Sequence, residues 1–153
     1  MNPRQAFLAA LDNWASCEFS DGLMAVPYIY GGKNPLTGLD CSGAMCCALQ
    51  IAGVELDPLL TNAQALYEKA RTIPGLPAVQ PGTLCFYGQS RDAIDHVMAV
   101  SDQYAGVWRV VGASGAGRSC TSIEAARRAA ACVHYETRIN YRPDFLAFGE
   151  MLP

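Results

Sequence analysis

Apolar residues recur with helical spacing near the start of the chain, at Phe7, Leu8, Leu11, Trp14 and Ala15, which puts them on one face of a helix. Asn2 is placed to cap that helix, and Pro3 suits its first turn. From 27 to 40 the periodicity stops, and two glycines, Lys33-Asn34-Pro35 and Thr37-Gly38 read as loop. An almost unbroken apolar run over 41–52 then predicts a largely buried helix with Gly53 as its stop. Thr61 and Gln64 have capping-box spacing and predict a short helix to about position 70. Prolines and glycines over 73–82 mark a connector.

Beyond it the period changes from helical to alternating. Strands are predicted at 83–87, 96–101 and 107–111, the last two joined by a turn around 102–106. The small residues of 112–117 read as loop. Thr121 and Glu124 open an Ala-rich helix to about position 131, and 133–137 and 145–148 are the last strand candidates. Helices first and strands later predict an α+β domain, a helix packed on an antiparallel β-sheet. No internal repeat or long linker divides the chain, so 1–153 reads as one domain.

Composition narrows the function. With 51% hydrophobic and 16% charged residues, the chain is globular. The net charge is -3 and the basic residues are scattered, which gives nucleic-acid binding no electrostatic support. No apolar stretch approaches the ~20 residues of a membrane span. The apolar run 6–11 is too short for a secretory signal, which predicts synthesis in the cytoplasm and suits release by phage lysis or carriage on a virion. The seven cysteines are odd in number and include no CxxC pair, which argues against a disulfide scaffold or zinc ribbon. No metal or cofactor is expected.

One cysteine stands apart. Cys41 begins the buried helix behind a glycine-rich loop, with polar neighbours Asp40 and Ser42, and a thiol there feels the positive end of the helix dipole, which favours the thiolate. Cys46, Cys47, Cys85 and Cys132 read as core, and Cys120 as an exposed loop residue. A nucleophilic cysteine needs a base. His96 heads an alternating strand and is the better candidate, with His134 read as structural. Asp95 points to the opposite face from His96 and reads as a solvated strand-end carboxylate. Tyr28 and Tyr30 share a side across Ile29, where a phenol is able to donate to an oxyanion or simply to pack.

Taken in order, these residues resemble the NlpC/P60 family of papain-like cysteine peptidases, which cut bacterial cell-wall peptides. The resemblance rests on Tyr28-Ile29-Tyr30-Gly31-Gly32, on Leu39-Asp40-Cys41-Ser42-Gly43, on Gln80-Pro81-Gly82-Thr83-Leu84-Cys85-Phe86-Tyr87 and on His96-Val97-Met98-Ala99-Val100, and it covers roughly 25–115. It implies a nucleophile helix packed on an antiparallel sheet, Cys41 as nucleophile and His96 as base. It also implies an oxyanion site from the Cys41 N–H and the Tyr28 hydroxyl, and a grip on a stem peptide's free amine by Asp40 and Ser42. The family's third polar residue, which orients the imidazole, aligns with Gly112, which has no side chain; Ser114, a backbone carbonyl or a water is left to substitute.

The implied activity is hydrolysis of peptidoglycan stem peptides around D-Glu, by thiolate attack. The gap at Gly112 raises a second reading, a weakly active or inactive wall-binding or phage-tail assembly module. A third is an N-acetylmuramoyl-L-alanine amidase or a related acyl transfer by the same dyad.

Overall fold

A computed structural model describes residues 1–20 and 22–153. The first helix, α1 (Pro3–Ser16), is capped at Asn2, whose side chain accepts from the Gln5 N–H while Gln5 reaches back to the Asn2 N–H. Its apolar stripe buries Phe7, Leu11 and Trp14. A small ribbon follows, β1 (Glu18–Ser20) with β2 (Leu23–Met24), and the 27–40 loop contains a second, β3 (Lys33–Asn34) with β4 (Gly38–Leu39). Neither ribbon is visible in the hydrophobic pattern, because strands of two or three residues carry no period.

Helix α2 (Cys41–Ile51) ends at Ala52 and Gly53, as the sequence predicts. Helix α3 (Ala63–Lys69) is capped by Asn62 rather than Thr61, whose hydroxyl instead bonds the Asp57 carbonyl. Helix α4 (Ile123–Ala129) is likewise capped one residue later than expected, by Ser122.

The sheet has six antiparallel strands in the order β5 (Arg71–Ile73), β10 (Phe145–Glu150), β6 (Leu84–Gly88), β7 (Ile94–Tyr104), β8 (Val107–Ser114) and β9 (Cys132–Glu136). Several strand boundaries differ from the sequence reading, and β7 runs through Tyr104 into the turn expected at 102–106. β5 lies at the start of the expected connector, and β8 runs on through Gly112 to Ser114, where a loop is expected. In β8, pairing with β9 outweighs the small residues' preference for turns: Gly112 faces His134 and Ala113 faces Val133 across the ladder.

Side chains alternate across this sheet. Val97, Ala99, Val111 and Ala113 face α1 and α2, whose Phe7, Leu11, Ala44, Met45, Ala48 and Leu49 are sealed from solvent. The opposite face carries Cys85, Tyr87, Met98, Val100 and Val110, packed against Phe148, Phe145, Trp108 and Ile139. A helix on an antiparallel sheet is thus the architecture, with a second apolar layer on the far face.

Candidate active site

The site begins with the turn into α2. Asp40 caps the helix, its Oδ1 accepting from the Gly43 N–H at 2.7 Å and its Oδ2 from the Gly31 N–H at 3.1 Å. One carboxylate thus ties the glycine loop to the helix start. The closeness explains the glycines: a Cβ on Gly43 would lie 2.0 Å from the Gly32 carbonyl oxygen. Cys41 follows as the first helical residue, buried in the lining of a cleft of about 530 Å³.

All five residues expected at the site line this cleft: Tyr28, Asp40, Cys41, Ser42 and His96. Tyr30 lines it too. Tyr28 is held by its backbone, which donates to the Ala131 carbonyl. Burial, then Cys41 and Asp40, push its phenol well above the ordinary tyrosine range, so it remains a hydrogen-bond donor.

The thiol and the imidazole reach the cleft from different sides. His96 pairs with Tyr87 in the β6–β7 register and shares its face with Met98, away from α2. The Cys41 thiol is not hydrogen-bonded to the ring; it donates to the Asp95 carbonyl at 3.8 Å. Burial, then the Asp40 carboxylate, push Cys41 up to about 11, against the pull of the Val97 and Ser42 N–H groups. Burial, then the Arg142 guanidinium, push His96 down to about 3. At neutral pH the pair rests as thiol and neutral imidazole. The thiolate expected from the helix dipole is therefore not the resting state: desolvation at the buried sulfur outweighs a dipole worth ~0.3–1 kcal/mol.

The far side of the imidazole has a partner that the sequence did not reveal. His96 Nε2 lies 2.5 Å from the Tyr141 hydroxyl, which lies 3.3 Å from Ser114 Oγ. Tyr141 sits in a short 3-10 turn, Ile139–Tyr141, on the outer face of the sheet. Nothing in its local sequence marks it, since the contact spans forty-five positions of chain. Gly112 does occupy the middle of β8, and a Cβ there would come within 2.7 Å of the Met98 sulfur. Met98 fills the space a polar side chain would need, and the orienting contact comes from Tyr141, with Ser114 behind it. Nδ1 has no hydrogen-bond partner among the described residues, and the ring lines the cleft.

Lys33 and Arg142 also line the cleft unannounced by any motif. The Lys33 ammonium is 3.1 Å from Asp40 Oδ1 and 2.7 Å from Ser42 Oγ. Arg142 forks onto Asp144 at 2.9 and 2.6 Å and reaches Asp95 at 3.3 Å. Asp95 is exposed, as expected of a strand-end carboxylate.

The other cysteines are free thiols. Cys120 is buried rather than exposed, donating to the Tyr28 carbonyl at 3.3 Å, and Cys132 is half-buried on the edge strand rather than core. His134 stays out of the cleft, fixed between the Cys132 carbonyl and Glu136, each at 2.8 Å.

A sequence model of the NlpC/P60 family matches residues 25–130. The chain belongs to the NlpC/P60 family. Solved structures of NlpC/P60 proteins share its fold. An NlpC/P60 family protein from Bacillus cereus superposes with a TM-score of 0.69 at 15% identity, covering 98% of this chain and 40% of that one. NlpC1 from Trichomonas vaginalis gives 0.69 at 16% identity, covering 99% and 45%. This chain thus spans less than half the length of either. RipD from Mycobacterium tuberculosis, described as a non-catalytic NlpC/p60 domain protein adapted to a peptidoglycan-binding function, gives 0.66 at 14% identity and covers 99% of both chains. A comparison with curated protein sequences finds no match.

Proposed function

We propose that this NlpC/P60 chain is a cysteine peptidase that cuts peptidoglycan stem peptides around D-Glu. The observation that carries the reading is the presence of Cys41 and His96 on one cleft, with Nε2 bonded to Tyr141 and Nδ1 without a hydrogen-bond partner among the described residues. In the tautomer that bears its proton on Nε2, the ring donates to the Tyr141 oxygen and leaves the Nδ1 lone pair free. A substrate carbonyl entering beside the helix start displaces the thiol from the Asp95 carbonyl. The thiol proton passes to Nδ1 as sulfur attacks carbon, because neither group is ionised beforehand. The oxyanion takes the Cys41 N–H and the Tyr28 hydroxyl. The imidazolium then protonates the leaving amine, and water releases the acyl group.

The resting separation of thiol and imidazole supports a second reading, a peptidoglycan-binding module without turnover, the kind of function stated for RipD. Apo catalytic contacts are often loose and tighten only with substrate, so the peptidase reading is preferred. Incubation with purified peptidoglycan, followed by mass spectrometry of the released fragments, tests both. Fragments cut beside D-Glu by the wild type and absent with Cys41→Ala support the peptidase. Binding without fragments in either protein supports the module, and release of an intact stem from muramic acid would mark an amidase.

A further inference from the structure

The charged groups lining the cleft are Lys33, Asp40, Asp95, Arg118 and Arg142, with His96 neutral at ordinary pH. The two carboxylates differ. Asp95 is exposed and meets Arg142 through Oδ1 alone, at 3.3 Å, whereas Asp40 is enclosed and fully engaged. Asp40 Oδ1 accepts from Gly43 N–H, from Lys33 at 3.1 Å and from Ser42 at 3.2 Å, and Oδ2 accepts from Gly31 N–H and from Lys33 at 3.4 Å. Four donor groups make five contacts on a carboxylate with about four lone-pair sites, which leaves no vacancy. The Ser42 hydroxyl is also engaged, accepting from Lys33 at 2.7 Å. The lysine and aspartate side chains are both largely withdrawn from solvent, at 17% and 12% exposure, so water screens this pair weakly. Arg118, which also lines the cleft, forms no ion pair among the described residues.

We propose that Lys33 is a specificity-determining residue: its ammonium occupies the enclosed anionic seat at Asp40 beside Cys41, so the cleft selects stem peptides whose amino end is acylated and rejects those with a free amine. The inference rests on the wall-peptide reading above and refines it. An incoming ammonium must displace Lys33 or lie within a few ångströms of it, and two like charges that close in a partly desolvated cleft repel strongly. An acylated amino end carries no charge and needs no such displacement. The ligand class is therefore the stem peptide still joined through its amino end to the wall polymer, rather than the released peptide.

The test uses the full chain with Cys41→Ala, so that no ligand is consumed. Calorimetry compares L-Ala-γ-D-Glu-diaminopimelate bearing a free amine with the same peptide N-acetylated. With Lys33 present, the acetylated peptide is expected to bind at least about tenfold more tightly, and Lys33→Met is expected to reverse that preference. Free-amine binding equal to or tighter than acetylated binding with Lys33 in place overturns the inference and leaves the wall-peptide reading standing. Binding of neither peptide removes the wall-peptide reading, and the inference with it. Should Lys33→Met fail to fold, the two-peptide comparison on the lysine-bearing protein decides alone.

Discussion

At Cys41 the opposing influences on the thiol are unequal. The helix start and two N–H groups favour the thiolate, while enclosure and the Asp40 carboxylate oppose it and prevail, leaving the thiol at about 11. Iodoacetamide alkylation of Cys41, followed by peptide mass spectrometry, is expected to accelerate only above about pH 9, later than a free cysteine at ~8.5. A plateau already reached at neutral pH would mean that the thiolate is preformed. His96 makes a matching statement about stability. Its folded value of about 3 lies below the unfolded ~6.5, so the unfolded chain takes up a proton that the folded chain refuses. Its contribution is whole above about pH 6.5 and declines as pH falls toward 3. His134 has the opposite sign: Cys132, then Glu136, raise it to about 9, so its contribution is whole below about 6.5 and fades as pH rises through 9. Urea midpoints measured from about pH 4 to about pH 8 are expected to fall on the acid side for the wild type and to flatten for His96→Gln. An equally steep acid limb in the variant would assign that limb to other groups.

Among the elements, α2 and β7 were the most legible in the sequence, because each couples a strong period to a chemical landmark at its start. The helix bears Cys41 behind its Asp40 cap, and the strand carries His96 before an alternating run. Less legible was what pairing and close packing decide. β8 continues through Gly112 because β9 lies beside it, and no local pattern announces that partner. Tyr141 was not legible at all, since a 3-10 turn has no face to read and its contact with His96 is made only once the outer layer closes. That turn does the positioning that β8 cannot. Tyr141→Phe retains the ring packed on Tyr87 but removes the hydroxyl from Nε2. Turnover of peptidoglycan fragments is expected to lose roughly 10- to 100-fold in kcat, with KM and thermal midpoint little changed. An unchanged kcat would show that the ring is held by packing alone. Gly112→Ala adds a methyl 2.7 Å from the Met98 sulfur and is expected to cost about 1–3 kcal/mol in chemical denaturation, relieved by Met98→Ala.

Across the whole molecule, the matched stretch 25–130 is not the unit that the packing defines. It omits α1, whose Phe7 and Leu11 are sealed against α2 and the sheet, and it stops before β9, Tyr141 and β10. β10 separates β5 from β6, so its loss leaves β5 without a partner in the sheet and exposes a new edge on β6. The two ends are also tied directly: Arg4 donates to the Pro81 carbonyl at 2.8 Å and to the buried Glu150 carboxylate at 3.2 Å. The cleft depends on the same outlying parts, because Tyr28 hangs from the Ala131 carbonyl and Tyr141 holds His96. A fragment limited to 25–130 is therefore expected to show no cooperative thermal transition by circular dichroism and no dispersed amide spectrum. In the full chain, Phe7→Ala alone is expected to cost about 3–5 kcal/mol, because the cavity opens between α1 and the buried helix that carries Cys41. A cooperatively melting fragment would place the folding unit inside the matched stretch and reduce α1 and β10 to attachments. The packing at Phe7, Arg4 and Glu150 argues that they complete one core and support the cleft from behind.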